Sequence, residues 1–158
     1  MKLVQITLSV VLLELSSNAY SQDIKRAFLD RNHNVHIIDY SGSQHQLTHA
    51  GNARSLKLAA NNAVAWLVMN DWVADGDDVP QSQELKIYLK GKTRSIKCGM
   101  FIRDHWFWQD GDQIAIDCGG RHFAGWEYLY DIKTLTIIAS FDQADVPLEK
   151  RPAWSDGE

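Results

Sequence analysis

The chain of 158 residues is 45% hydrophobic, enough for one domain with a core of its own. Its 16 Lys and Arg against 20 Asp and Glu give a formal charge of −4, and no basic stripe runs along it. Nucleic acid and anionic lipid both call for clustered cations, so neither is expected as a partner.

Lys2, the mostly apolar run 3–15 and the small residues Ser17, Ala19 and Ser21 have the layout of a secretory signal peptide. The run is shorter than the roughly 20 apolar residues that span a bilayer, and Glu14 interrupts it. Export is therefore expected, with residues 1–21 as the signal, cleavage after Ala19 or after Ser21, and no membrane segment afterwards. Residues 22–158 are then one domain in an oxidising compartment. An even pair of cysteines there, Cys98 and Cys118, is most simply a disulfide closing a loop of about 20 residues. Neither lies in a Cys-x-x-Cys redox motif, and two cysteines without clustered histidines do not make a zinc site.

From residue 22 to 32 the chain (QDIKRAFLDRN) is polar, weakly helical at best or else a first strand. Short β-type runs follow. Residues 35–40 (VHIIDY) form a strand, Ser41-Gly42-Ser43 a turn, and 44–48 the return. Residues 55–60 alternate apolar and polar, Asn61-Asn62 turns, and 63–69 (AVAWLVM) is apolar enough to be buried on both faces. A polar, acidic loop, 70–82, leads to the alternating strand 84–89, a Lys-Gly-Lys turn and the return 93–98. Then come the strand 106–108, the turn 109–112, the strand 113–118, a glycine-rich loop 119–125, the strand 126–132, a Lys133-Thr134 turn and the strand 135–141. The tail from Asp142, with Pro147 and Pro152, is irregular. Residues 55–97 and 105–141 thus repeat one strand-turn-strand-loop-strand-turn-strand unit, with a period of roughly 40–45 residues, the length of a four-stranded propeller blade.

Two segments strengthen that likeness. Ser41 to Thr48 (SGSQHQLT), followed by Gly51 and Asn52, resembles the strand-turn-strand of TolB-like and WD-type propeller blades. Trp108 to Ala115 (WQDGDQIA) resembles the start of such a blade, with Gln109 in place of the usual Ser-Pro. The expected fold is all-β: antiparallel four-stranded sheets arranged as an incomplete β-propeller-like domain, because a full ring needs at least four blades. A short, exported, disulfide-bonded protein of this kind resembles the periplasmic immunity proteins of type VI secretion peptidoglycan amidase effectors. The resemblance implies a protein partner, a papain-like cell-wall amidase delivered by sister cells, and a loop that enters its cleft to block the Cys–His pair. Oligomeric state is not legible in the sequence.

No catalytic constellation emerges. There is no Gly-x-Ser-x-Gly elbow, a disulfide-bonded cysteine cannot attack, and no cofactor motif is present, so no enzyme activity and no catalytic residue is expected. His45 and His49 share a strand face about 13 Å apart, too far for one metal. His33 and His36 are expected at the surface. Asp75-Gly76-Asp77-Asp78 and Asp110-Gly111-Asp112 invite calcium, but they lack the full loop signature and suit ordinary turns, so no metal is expected. Trp66, Trp106, Trp108 and Trp126 are expected in the core, and Trp72 and Trp154 exposed, as interface anchors or platforms for a sugar ring. A carbohydrate- or peptidoglycan-binding module, or a lysozyme inhibitor, is the alternative function. The candidate partner-binding residues are Gly119, Gly120, Arg121, His122 and Phe123 in the loop beside the disulfide, with Trp72, Asp75, Asp77 and Asp78 of the acidic loop as a second surface.

Overall fold

A computed structural model describes residues 23–69, 82–120 and 122–155. The signal segment, the acidic loop with Trp72, Asp75, Asp77 and Asp78, and Arg121 lie outside the described residues. The described chain is all-β, built as three antiparallel meanders in sequence order. The first has three strands, β1 (Ile24–Leu29), β2 (Val35–Asp39) and β3 (Gln44–Gln46), the strand pair expected within 35–48 plus one from the 22–32 segment. The second contains β4 (Ala53–Leu58), β5 (Val64–Met69), β6 (Ser82–Leu89) and β7 (Lys92–Lys97). The third contains β8 (Phe101–Trp108), β9 (Gln113–Gly119), β10 (Trp126–Asp131) and β11 (Ile137–Asp142). The two repeated units of the sequence are these two four-stranded sheets. Strand β1 lies against β4, and β6 against β8, so the sheets follow one another as an incomplete propeller-like series.

Two cores separate the layers. Between the first and second sheets sit Ile24, Val35, Ile37, Val64, Trp66 and Val68. Between the second and third sit Ala65, Leu67, Leu85, Ile87, Ile114 and Ile116. Strand β5 supplies both, Val64, Trp66 and Val68 to one side and Ala65 and Leu67 to the other, as its unbroken apolar run requires. Each such fully buried aliphatic side chain contributes roughly 1.5–3 kcal/mol. The segment 22–32 takes the strand form of its two readings. Arg26 and Phe28 can face outward on an edge strand, and a bulge between Ile24 and Arg26 breaks the alternation.

The outer face of the third sheet carries a smaller cluster of Trp106, Ala115, Leu129 and Trp154. The tail is less irregular than its prolines suggest: two 3₁₀ turns, Leu148–Lys150 and Ala153–Ser155, fold it back over that sheet. Trp154 is 9% exposed, tilted against Phe141, and its carbonyl accepts a hydrogen bond from Trp106 Nε1 at 2.6 Å. Its expected exposure is thus corrected, because sheet residues left uncovered by a further blade offer it an apolar seat.

Candidate functional site

Strand β9 ends at Gly119, and the chain crosses to β10 through residues 120–125. Cys118 points into the core between the second and third sheets and is joined to Cys98, just after β7, with the Cα atoms 6.1 Å apart. The expected disulfide therefore ties the base of this loop to the neighbouring sheet. The two loop ends touch backbone to backbone: a Cβ on Gly125 would sit 2.5 Å from Gly119 Cα, so only glycine fits. The Phe123 ring lies across Gly120, in the space that a side chain there would need.

Arg103 holds the loop from behind. It sits at a bulge of β8, between Ile102 and Asp104, which re-aims its side chain. Nη1 donates to the carbonyls of Gly120 and Phe123, each at 3.2 Å. Nη2 donates to Asp117 Oδ1 and to Gln143 Oε1, each at 2.5 Å. Gln143 in turn donates its backbone N–H to the Gly125 carbonyl at 2.8 Å and accepts the Gly125 N–H at 3.0 Å. Its Nε2 donates to Asp117 Oδ1 at 3.2 Å and to the buried Glu127 Oε1 at 2.8 Å. Arg151 approaches the same Glu127 oxygen at 3.5 Å. Two arginines, two carboxylates and one amide form a charge-balanced chain linking β8, β9, β10, the loop and the tail. Removing one partner from such a partly buried network leaves the others unpaired, which makes the loop conformation costly to change.

What this scaffold presents outward is short and mixed. Phe123 is 60% exposed, and His122 and Ala124 are exposed beside it. Trp126, the first residue of β10, is 40% exposed and stacks on Tyr128 at 6.0 Å between ring centres. No family model matches the chain, and no curated protein matches it in sequence. Among the described residues, no three metal-ligating side chains come together. The arrangement can offer an aromatic tip, an imidazole and a flanking indole to a complementary surface.

Of the sequence candidates, Gly119, Gly120, His122 and Phe123 are brought together here, although Gly119 and Gly120 are buried and act as spacers. Trp126 is corrected from core to partly exposed: it is the first residue of β10, a strand next to the sheet edge, and packs on Tyr128 rather than in the core. His36 is corrected from surface to buried: both ring nitrogens are engaged, by Asp30 at 3.1 Å and Gln44 at 3.1 Å, and the ring stacks on Phe28. Asp30, whose carboxylate also accepts the Asn34 and Asn32 backbone N–H groups, is held below the usual carboxylate range, by the Asn34 bond foremost. Arg103, Gln143, Glu127 and Arg151 were not legible as a group. They lie far apart in sequence and meet only because of the bulge, the β10–β11 pairing and the returning tail.

Proposed function

We propose that this protein is a binding protein of the inhibitor type, which presents the 119–125 loop to a protein partner and performs no catalysis of its own. The observation that carries this reading is the contrast within one loop. Its backbone is held at Gly120, Phe123 and Gly125 by Arg103 and Gln143 beside the disulfide, while Phe123 stands 60% exposed. A loop already ordered before binding loses little entropy on docking, and an exposed aromatic is a typical anchor for a partner pocket. The partner that fits the sequence resemblance is a secreted, papain-like peptidoglycan amidase, whose narrow cleft a stiff aromatic tip would plug. The setting proposed with it is the periplasm, reached through the 1–21 signal, and the disulfide suits that compartment.

The test is inhibition of peptidoglycan hydrolysis by the cysteine amidase encoded beside this protein. The native chain should inhibit at stoichiometric concentration. Phe123→Ala should weaken the complex by about tenfold or more while leaving the urea midpoint unchanged. Absence of inhibition by the native chain removes the amidase as target. Equal inhibition by Phe123→Ala removes the loop as the contact.

A further inference from the structure

At the opposite end of the two four-stranded sheets, roughly 20 Å along β10 from the loop, the fold gathers positive charge. The β6–β7 hairpin brings Lys90, Lys92 and Arg94, and the β10–β11 turn brings Lys133. With Leu89 they line an open cleft of about 480 Å³. In a chain of net charge −4, four cations and one aliphatic residue around one cleft are a local feature, not a reflection of composition.

The cleft is also built. Arg94 bridges its walls: Nη2 donates to the Ile132 carbonyl at 2.5 Å, and Nη1 to the Lys133 carbonyl. Lys133 pairs with Asp112 at 3.0 Å, both side chains well exposed there, and also lies within electrostatic reach of Asp131. Among the described residues, no carboxylate pairs with Lys90 or Lys92. The hairpin tip has a defined turn geometry. Lys90 and Gly91 have φ of 49° and 78°, the two positive values of a type I′ turn. Asn or Gly is favoured at the first of these positions, and a lysine there carries a backbone cost of about 1 kcal/mol. That cost is borne by a residue that lines the cleft.

We propose that this cleft binds phosphate groups, those of a soluble oligophosphate or of an anionic lipid headgroup. Lysine ammonium groups act as point charges that meet tetrahedral oxygens from several directions, and the fixed arginine anchors the floor between them. The site is separate from the 119–125 loop and does not depend on the inhibitor reading.

Calorimetric titration of the full chain with tripolyphosphate at low salt, and flotation with phosphatidylcholine vesicles with and without phosphatidylglycerol, test it. Binding is expected in at least one arm and should weaken as salt rises. Tripolyphosphate binding alone assigns a soluble ligand, and binding that needs phosphatidylglycerol assigns a headgroup. The exposed pair Lys90→Gln with Lys92→Gln should lower affinity about tenfold or more, with the fold intact by circular dichroism. The control pair Lys25→Gln with Lys150→Gln removes the same charge from exposed sites elsewhere and should leave affinity unchanged. No binding in either arm overturns the proposal, and so does equal weakening by the control pair.

Discussion

His105 makes the folded protein sensitive to mild acid. It lies on β8 facing the core between the second and third sheets, opposite Ile116, and is 0% exposed. Neither ring nitrogen has a hydrogen-bond partner. Burial lowers its pKa from 6.5 to about 4, and the nearby Lys57 ammonium adds to the effect. The Asp104 carboxylate and the Ala65 backbone push the other way without reversing it, and the Ala65 approach falls short of a hydrogen bond. Lys57 itself is anchored on the His105 carbonyl and on Asp104 at 3.0 Å, so its charge cannot swing away.

The sign follows from which state binds the proton. The unfolded chain protonates His105 near pH 6.5, whereas the folded chain waits until about pH 4. Stability is therefore complete above pH 6.5 and declines as pH falls between these values. They lie about 2.5 pH units apart, so the whole loss is about 3 kcal/mol, at about 1.4 kcal/mol per unit. Between pH 7 and pH 4.5 the loss is roughly 2–3 kcal/mol. Urea unfolding at both values should show it, and His105→Phe, which fills the space with a ring that cannot titrate, should be that much less acid-sensitive. The depressed carboxyls of Asp30, Asp39 and Asp131 act at lower pH, in the window below 3.8. If native protein and His105→Phe lose the same stability between pH 7 and pH 4.5, the imidazole does not stay neutral in the core and is not the source of the acid sensitivity.

Two further predictions concern the joints between the repeated units. Gly111 is buried with φ +98°, and a Cβ there would lie 2.5 Å from both Ala59 Cβ and Asn61 Oδ1, so Gly111→Ala should cost about 2 kcal/mol or more, read as a clear fall in Tm. An unchanged Tm would show that the 109–112 turn can move off the Asn61 turn at no cost. Replacing Cys98 and Cys118 together by Ala should cost about 3 kcal/mol for a closed loop spanning a separation of 20 residues, measured by urea unfolding. A loss below about 1 kcal/mol would mean that the interface of the two four-stranded sheets already restricts the chain as much as the bridge does.

Much of this fold could be read from alternation and turn residues. β6, for example, buries Leu85 and Ile87 on one face as its sequence ELKIYL requires, and β5 is apolar because both of its faces are covered. What could not be read was set by departures from period two. Taken strictly, Ile102 and His105 would lie on opposite faces of β8, but the bulge between Ile102 and Asp104 puts both into the same core. That one inserted residue hides the buried histidine and aims Arg103 at the loop, so the pH response and the loop support were lost together. The glycine-rich loop stood out because of its composition and its neighbour Cys118. Gln143 gives no local signal, since its amide acquires a role only when the β10–β11 pairing carries it alongside Gly125 and onto Asp117 and Glu127.

An incomplete series of blades must do something with its two outermost sheet faces, which in a closed ring would be covered by neighbours. Repeat proteins meet the same demand with polar or specialised end units. Here the chain meets it in two different ways. On the first sheet the outer face is made polar and internally satisfied: His36 bonds Asp30 and Gln44 and stacks on Phe28, over which Arg26 lies at 5.3 Å. On the third sheet the outer face remains apolar, and Trp154 is folded down onto Trp106 and Phe141. Strand β11 delivers Gln143, one residue past its end, and the returning tail delivers Arg151 to the network behind the 119–125 loop. Covering the end sheet and completing that network thus meet at Arg151, which reaches Glu127. A tail that only covered apolar surface would not need its guanidinium group placed on Glu127. That coupling ties the stability of the open end to the readiness of the loop for a partner.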